Sequence, residues 1–191
     1  MINGKTLTLL SIGWGDQLED VKSVVFYSAS VFPFFDDALI VDHLNNLVDY
    51  NRFVVEDLCH FVHTDYVLMT QPDGFIINPK AWKDEFLNFD YIGAPWPWHG
   101  VCGNGGVCIR SKKFLEVSSK LKYIPDHPEY QCCPEDSFLC HPNYNRSFMI
   151  ENGIKFADMK TALEFSFEHP ISLYPEHTIK HSFGFHGKHN L

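Results

Sequence analysis

Short apolar segments alternate with segments of helical periodicity along the first part of the chain, and this alternation restricts the fold more than any other feature. Apolar runs at residues 6–12, 38–41 and 66–69 predict three buried strands. Between them, residues 18–29 and 51–62 repeat apolar side chains at helical spacing and predict two helices. This order of strands and helices favours a parallel sheet with right-handed crossovers.

The two predicted helices have recognisable boundaries and apolar faces. Asp16, with Glu19 three residues later, is a possible N-cap and capping box for the first helix. The side chains expected to face the core are Leu18, Val21, Val25 and Ala29 in the first helix and Val54, Leu58, Phe61 and Val62 in the second.

The later part of the chain is less regular. Residues 91–98 are rich in Pro, Gly and Trp and predict a shaped loop or an irregular strand. Ser111 is the expected N-cap of a helix that runs to about residue 121, and residues 135–150 predict a partly helical segment. We therefore expect one domain, residues 1–191, in which a βαβαβ half precedes a loop-rich half.

Composition excludes several classes of protein. The chain has 191 residues, of which 45% are hydrophobic, so it can build a sizeable core. Its net charge is −9, which gives a nucleic acid or an anionic membrane no electrostatic attraction. No apolar run reaches the ~18 residues that a transmembrane helix needs. The six irregularly spaced cysteines and the strand-like N-terminus predict a cytoplasmic protein with reduced thiols.

A carboxylate follows the third predicted strand. In open parallel sheets, ligands bind beyond the carboxyl ends of the strands, and Asp73 lies there. A carboxylate in that position can reach a hard cation such as Mg²⁺ or Mn²⁺. An ordinary turn is the simpler interpretation, because Pro72-Asp73-Gly74 is also common turn chemistry.

A glycine-rich segment precedes a short strand that is predicted at residues 107–109. The sequence Gly103-Asn104-Gly105-Gly106 lets the backbone approach a ligand closely and frees its N–H groups for binding. On this segment alone, a tight turn before the strand is the slightly favoured interpretation of the same glycines.

Two adjacent acids, Glu135 and Asp136, follow Pro134 at the start of a predicted helix. Carboxylates are favoured at helix N-termini for structural reasons alone. The functional interpretation is a general base, or an acceptor for a hydrogen bond from a substrate hydroxyl.

Histidine and cysteine residues raise the question of two metal sites, one with a hard cation and one with zinc. His186, which has Gly184 and Gly187 nearby, is a candidate ligand for a cation bound by Asp73, although most single histidines have no such role. A zinc site is disfavoured, because the closely spaced Cys132, Cys133, Cys140 and His141 do not form two separated Cys-x-x-Cys knuckles.

Taken together, these segments resemble a family of glycosyltransferase-like domains found in bacteria, eukaryotes and large DNA viruses. The resemblance spans about residue 50 to 187, and its most specific blocks are Asp-Tyr-Ile-Gly-Ala-Pro-Trp (residues 90–96) and Gly-Asn-Gly-Gly (residues 103–106). The other matching blocks are Gln71-Pro72-Asp73-Gly74, Ile109-Arg110-Ser111, Glu135-Asp136, Gly-Ile-Lys-Phe-Ala (residues 153–157) and Phe-Gly-Phe-His-Gly (residues 183–187).

The resemblance implies a fold and a division of labour. The fold would be the A-type glycosyltransferase fold, a Rossmann-type, mostly parallel sheet flanked by helices. Residues 1–100 or so would form the nucleotide-binding half, and residues 101–191 the loop-rich acceptor-side half.

The resemblance also implies roles for individual residues. Asp73 matches the last residue of the metal-binding Asp-x-Asp motif, whereas Gln71 replaces its first Asp; His186 would be a further metal ligand. Asp136 would be the catalytic base, and Glu135 would orient it or bind a sugar hydroxyl. The residues expected to bind the donor are Gln71, Asp73, Gly74, Asn104, Gly105, Gly106 and Arg110, whereas Trp96 and Trp98 would stack on a sugar or pack in the core.

The resulting hypothesis is a metal-dependent glycosyltransferase of the inverting, hexosyltransferase-like type. It would use Mn²⁺ or Mg²⁺ and move a sugar from a nucleotide-sugar donor, expected to be a UDP-sugar, to a glycan or another hydroxyl-bearing acceptor. Two alternatives stay open: a non-catalytic module that binds sugars or nucleotides, and a metal-dependent nucleotide-sugar hydrolase.

Overall fold

A computed structural model describes residues 1–125, 127 and 133–191 of the chain. The strands are β1 (Leu7–Ile12), β2 (Asp37–Val41), β3 (Tyr66–Thr70), β4 (Tyr91–Gly93), β5 (Pro95–Trp96), β6 (Val101–Cys102), β7 (Cys108–Ser111), β8 (Ser166–Phe167) and β9 (Gly184–Phe185). The α-helices are α1 (Leu18–Val31), α2 (Leu47–Arg52), α3 (Lys112–Ser118), α4 (Glu135–Cys140), α5 (Arg146–Glu151) and α6 (Met159–Phe165). Short 3₁₀ turns occupy Gly15–Gln17, Leu58–His60, Pro79–Ala81, Asp84–Asn88, Ile179–His181 and Lys188–Asn190, and Phe53–Asp57 forms a π-helical turn.

The central sheet has five strands in the order β2-β1-β3-β7-β4. Strand β1 pairs in parallel with both β2 and β3, as Leu9 shows by lying opposite Ala38 on one side and Leu68 on the other. Strand β7 runs antiparallel to β3 and to β4, so β4 points in the same direction as the first three strands. This arrangement confirms the predicted α/β fold with a mostly parallel sheet flanked by helices.

Helix α1 connects β1 to β2 and buries one face against the sheet. Val21 and Val25 are buried as predicted, and Val24 and Ser28 join them. The predicted capping box is wrong. Residues Gly15–Gln17 first form a 3₁₀ turn, which places Asp16 inside that turn, and the N-cap residue Gln17 makes no side-chain capping hydrogen bond.

The second connection begins earlier than the sequence pattern indicated. The Asn46 side chain accepts a hydrogen bond from the Asp49 N–H and so caps α2. The helix continues into the π-helical turn Phe53–Asp57, whose wider winding shifts the positions that follow it. Leu58 is therefore buried, whereas Phe61 is 45% exposed, and the prediction that Phe61 faces the core is wrong.

Residues 91–98, predicted as a shaped loop or an irregular strand, form two short strands joined by a turn to a third. Part of residues 91–98 forms β4, and β5 pairs with β6 in an antiparallel hairpin. The prediction for Ser111 is confirmed, since its hydroxyl accepts the Phe114 N–H at the start of α3.

The C-terminal segment packs on the same core. Phe165 and Phe183 are fully buried members of the main apolar cluster, whereas Leu163, Phe167 and Ile171 form a small second cluster. Strands β8 and β9 pair in parallel and bring the end of the chain next to the turn that follows β3. Within the described residues, no helix is both long and apolar enough to cross a bilayer.

Candidate functional site

Two adjoining cavities lie beyond the carboxyl ends of β1 and β3. The first, which we call the carboxylate cavity, measures about 380 Å³ and contains Glu135 and Asp136 in its wall. The second, the β1 cavity, measures about 580 Å³ and lies against Ile12 at the end of β1. Leu47, Tyr50 and Gln71 line both, so the two form one continuous groove at the sheet edge where such folds bind ligands.

The segment after β3 is a tight turn that presents Asp73 to the β1 cavity. Gln71 and Gly74 exchange two backbone hydrogen bonds of 2.8 and 2.9 Å, so the turn interpretation and the site interpretation both describe this segment. Gly74 lines neither cavity among the described residues. A Cβ atom there would lie 3.0 Å from Cδ2 of His186, so this glycine leaves room for the histidine.

His186 joins the C-terminal segment to this turn. Its Nε2 lies 3.8 Å from Oδ1 of Asp73 and 3.2 Å from Oε1 of Gln71. Its Nδ1 lies 3.1 Å from Oε1 of Glu168. The structure thus brings Asp73, Gln71 and His186 together, although they are distant in sequence.

The charge of His186 depends on its surroundings. Burial alone would lower the pKa of the imidazole. The hydrogen bond with Glu168 and the negative charges of Glu168, Asp73 and Asp136 outweigh burial and raise this pKa above its ordinary value.

These side chains offer a divalent cation one carboxylate oxygen, one amide oxygen and one imidazole nitrogen. The second ring nitrogen of His186 has a carboxylate partner, as is usual for a metal-binding histidine. Within the described part of the chain, no three His, Cys, Asp or Glu side chains converge on a common metal position. A cation here would therefore take its remaining ligands from water or from substrate phosphates, as Mg²⁺ commonly does.

The disfavoured zinc site receives no support from the residues that can be described. Cys132 lies outside them. Cys140 is a buried free thiol, and burial raises its pKa well above the ordinary value, which opposes the thiolate form that binds zinc.

The glycine-rich segment holds the acids and the histidine close together. The Gly105 N–H donates to Oδ2 of Asp136 at 2.9 Å, and the Gly106 N–H donates to Oδ1 of Asn104 at 2.9 Å. A Cβ atom would lie 2.8 Å from Oε1 of Glu135 at position 105, and 2.0 Å from Cδ2 of His186 at position 106. Both glycines also line the carboxylate cavity, but their close approach is to protein side chains.

Arg110 is placed differently from the donor contact that was expected. It is 0% exposed and lines neither cavity within the described structure. Its NH2 atom donates to both carboxylate oxygens of Glu135 at 2.8 Å, and its NH1 atom is buried without a hydrogen-bond partner in the described structure. The arginine therefore holds Glu135, not a ligand.

The two adjacent acids differ in what they face. Glu135 is buried against Arg110, and burial raises the pKa of its carboxyl to about 7, against the opposing effect of that guanidinium. Asp136 is half-buried in the cavity wall, where its two oxygens accept the N–H groups of Gly105 and Ser137. Burial raises the pKa of Asp136, and these two hydrogen bonds partly offset the rise. Each oxygen retains capacity to accept a further hydrogen bond from a substrate.

The two tryptophans also differ. Trp96 also lines the carboxylate cavity, but it is only 7% exposed. A Cβ atom at Gly103 would lie 2.3 Å from its ring, so most of this side chain packs in the core. Trp98 is 63% exposed and lines the carboxylate cavity, which leaves it free to stack on a ligand.

Several residues of the site had no local signal in the sequence. The Tyr50 hydroxyl lies 3.4 Å from Oε1 of Glu135 and 3.5 Å from Nε2 of Gln71, where the two cavities meet. Glu168 holds His186, and Trp14 lines the β1 cavity. These side chains meet only through tertiary contacts, so spacing along the chain could not reveal them.

A family model matches most of the chain. The family described as "Protein of unknown function (DUF5672)" matches residues 35–186, which is well over half of the chain. A search of curated proteins finds no match.

Comparison with solved structures identifies proteins of similar fold. A glycosyltransferase involved in the glycosylation of the major capsid of PBCV-1 superposes with a TM-score of 0.63 and 17% identity, covering 96% of this chain and 93% of that one. This similarity shows a shared fold. The galactosyltransferase LgtC, in complex with donor and acceptor sugar analogs, gives a TM-score of 0.46 at 8% identity over 95% of this chain and 87% of its own. A197 from STIV gives a TM-score of 0.44 at 14% identity, over 72% of this chain and 78% of its own.

Proposed function

The chain belongs to the DUF5672 family of proteins of unknown function, and we propose that it is a metal-dependent, inverting glycosyltransferase. The observation that carries this proposal is the position of Asp136. Its carboxylate faces the cavity that also contains Gln71 and His186, next to the β1 cavity with Asp73. The shared fold with a glycosyltransferase is consistent with this assignment.

The β1 cavity suits the nucleotide of a donor such as a UDP-sugar. Its volume of about 580 Å³ lies within the range of roughly 300–1,000 Å³ that is typical of small-molecule sites. Trp14 supplies an aromatic surface for the base, while Gln17 and Asp20 supply hydrogen-bonding groups. The donor sugar would then extend past Gln71 towards Gly105 and Gly106 in the carboxylate cavity.

The residues present fit a Mn²⁺ or Mg²⁺ ion. Asp73 and His186 would hold the ion, Gln71 would contact it directly or through water, and Glu168 would orient the imidazole. The ion would stabilise the negative charge that develops on the leaving diphosphate.

Asp136 is the proposed general base. It would accept the proton of the acceptor hydroxyl while that oxygen attacks the anomeric carbon from the face opposite the diphosphate. Glu135 and Arg110 would fix the start of α4 and the Gly105 backbone, and therefore the direction of the Asp136 carboxylate. Arg110 is thus a positioning residue and Glu135 its buried partner.

Radiolabelled nucleotide sugars, supplied with Mn²⁺ and a panel of hydroxyl-bearing acceptors, test this proposal. We expect transfer by the wild-type protein and its loss when the divalent ion is chelated. Free sugar as the sole product, even with every acceptor present, would indicate a hydrolase. Donor binding without any turnover would indicate a non-catalytic module.

The substitution Asp136→Asn tests the base. It keeps the size of the side chain but only one of its two acceptor oxygens, so one of the N–H groups of Gly105 and Ser137 loses its partner. We expect the free energy of unfolding to fall by about 1–3 kcal/mol, donor affinity to stay near normal, and the rate of transfer to fall by about 10²–10⁴-fold. Asp57→Asn is the matched control, because Asp57 is exposed and lines neither cavity within the described structure. Transfer by Asp136→Asn at the wild-type rate would exclude Asp136 as the base.

A further inference from the structure

Two histidines face each other in the wall of the carboxylate cavity, away from the residues assigned above to metal and base. The Nε2 atoms of His99 and His141 are 3.0 Å apart, and their rings meet edge to face with centroids 4.2 Å apart. His99 lies in the turn of the β5–β6 hairpin, and His141 directly follows α4. Both side chains line the cavity.

The hydrogen bonds of this pair assign its protons. Nδ1 of His141 accepts the Asn143 N–H at 3.1 Å, so it carries no proton, and Nε2 of a neutral His141 must carry one. That proton is donated to Nε2 of His99, which leaves the proton of a neutral His99 on Nδ1. Within the described structure, no residue accepts this Nδ1–H. His99 is exposed and lines the cavity, so its Nδ1–H is available to a bound ligand.

The charges around the cavity select for an uncharged ligand. Burial and the neighbouring His99 lower the pKa of His141 below its ordinary value, which favours the neutral form of His141 at pH 7. The other titratable groups in the wall are Tyr50, Glu135, Asp136 and His186. Arg110 balances the charge of Glu135, so Asp136 is the carboxylate in this wall whose charge opposes the entry of an anion. Neutral hydroxyl groups can both donate to and accept from the side chains here.

Trp98 adds a flat apolar surface next to the pair. Its ring centroid lies 6.2 Å from that of His99 and 5.2 Å from that of His169, and most of the side chain is exposed. A pyranose ring has an apolar C–H face and a rim of hydroxyl groups. Such a ring matches an indole surface beside an unused imidazole donor better than an alkyl chain or a phosphate does.

We propose that Trp98, His99 and His141 form the acceptor subsite, and that the acceptor is a neutral saccharide. This inference rests on the proposed transferase function, and it identifies the class of molecule that supplies the hydroxyl. The cavity of about 380 Å³ is at the small end of ligand sites and would also receive the donor sugar, so it leaves room for only the terminal ring of an acceptor. That ring would lie on Trp98 and receive a hydrogen bond from Nδ1–H of His99, with one hydroxyl directed towards Asp136.

Direct binding tests the subsite without requiring turnover. The probes are the methyl α- and β-glycosides of glucose, galactose and mannose. Their binding is measured by saturation-transfer NMR in the presence of UDP and the diamagnetic ion Mg²⁺. We expect at least one glycoside to bind the wild-type protein, and the 6-phosphate of the same sugar to bind more weakly. No binding by any of the six glycosides would overturn the proposal, as would transfer to a Ser/Thr peptide in place of sugars.

Matched variants assign the binding to the named residues. Trp98→Ala should raise the glycoside dissociation constant and the acceptor KM about tenfold, which is the upper end for one aromatic contact. Trp98→Phe retains a flat ring and should recover most of this loss. His99→Asn, whose amide can place a donor near the former Nδ1, should bind better than His99→Ala. Equal glycoside affinity in the wild-type and Trp98→Ala proteins would overturn the assignment.

A distant aromatic residue supplies the control, and the donor separates the two proposals. Phe26 is exposed on α1 and lines neither cavity within the described residues, so Phe26→Ala should leave glycoside binding unchanged.

If the wild-type protein turns over its donor but no glycoside binds, the acceptor assignment fails and the transferase proposal stands. If glycosides bind through Trp98 but no donor is ever turned over, the transferase proposal fails and a saccharide site remains.

Discussion

The segment from β1 to β3 and the segment from β4 to β9 are organised in different ways. The first is built from long strands and helices whose periodicity is visible in the sequence, and β1 is buried along its whole length. The second is built from strands of two to four residues and from short helices, joined by side-chain contacts between distant positions. The first segment thus supplies the scaffold, and the second brings Asp136 and His186 to its edge.

Removal of Arg110 should have the largest effect on stability, because this residue links β7 to α4 through a buried ion pair. Arg110→Met leaves the buried Glu135 without its partner, and we expect the free energy of unfolding in urea to fall by about 3–5 kcal/mol. The double variant Arg110→Met/Glu135→Leu should recover much of the loss, since it removes both charges.

The pair formed by Lys83 and Glu164 is the control for this experiment, because both side chains are partly exposed. Lys83→Met should change the free energy of unfolding by less than about 1 kcal/mol. If Arg110→Met and Lys83→Met lowered the free energy of unfolding equally, the stability of the second segment would not depend on the buried pair of Arg110 and Glu135.

In the first segment, the π-helical turn predicts that two nearby substitutions affect stability very differently. Leu58→Ala removes a fully buried side chain and should lower the free energy of unfolding by about 2–5 kcal/mol. Phe61→Ala, three positions later, should lower it by only about 0.5–1 kcal/mol, because Phe61 is 45% exposed. If Phe61→Ala lost several kcal/mol of stability, Phe61 would face the core, as the regular helical pattern in the sequence predicted.

A divalent ion should couple the two segments, since Asp73 lies in the turn that follows the first segment and His186 directly follows the second. With Mn²⁺ at 100 times its dissociation constant, we expect about 2.7 kcal/mol of added stability, measured as a rise in Tm. Asp73→Asn should lose this rise and the Mn²⁺ dependence of donor affinity, whereas Asp57→Asn should retain both. A rise in Tm of equal size in Asp73→Asn would remove Asp73 from the cation site.

The contrast between the segments also explains what could be predicted from the sequence. Strands β1 and β3 and the Ser111 cap were predicted, because local apolar patterns and capping chemistry determine them. The sequence also paired Asp73 with His186 as candidate ligands of one cation, and the structure places Oδ1 of Asp73 3.8 Å from Nε2 of His186. Their roles as metal ligands stay a proposal, as do the cytoplasmic location and the division into two functional halves.

Other features could not be predicted, because they arise only when distant segments pack together. The ion pair of Arg110 with Glu135 joins a strand to a helix, and the sequence instead suggested a donor contact for the arginine. Tyr50 and Glu168 carry no motif and become part of the site only through tertiary contacts. At Phe61, a π-helical turn replaced regular helical winding, which local periodicity cannot foresee.

The stereochemistry of transfer tests the central claim most directly. The donor sugar, transferred to the glycoside that binds best, can be followed by proton NMR of the anomeric signal during the first turnovers. Attack by an acceptor hydroxyl activated by Asp136 predicts a product whose anomeric configuration is inverted relative to the nucleotide sugar, and Asp136→Asn should form little of it. A product that retains the donor's configuration would contradict the account.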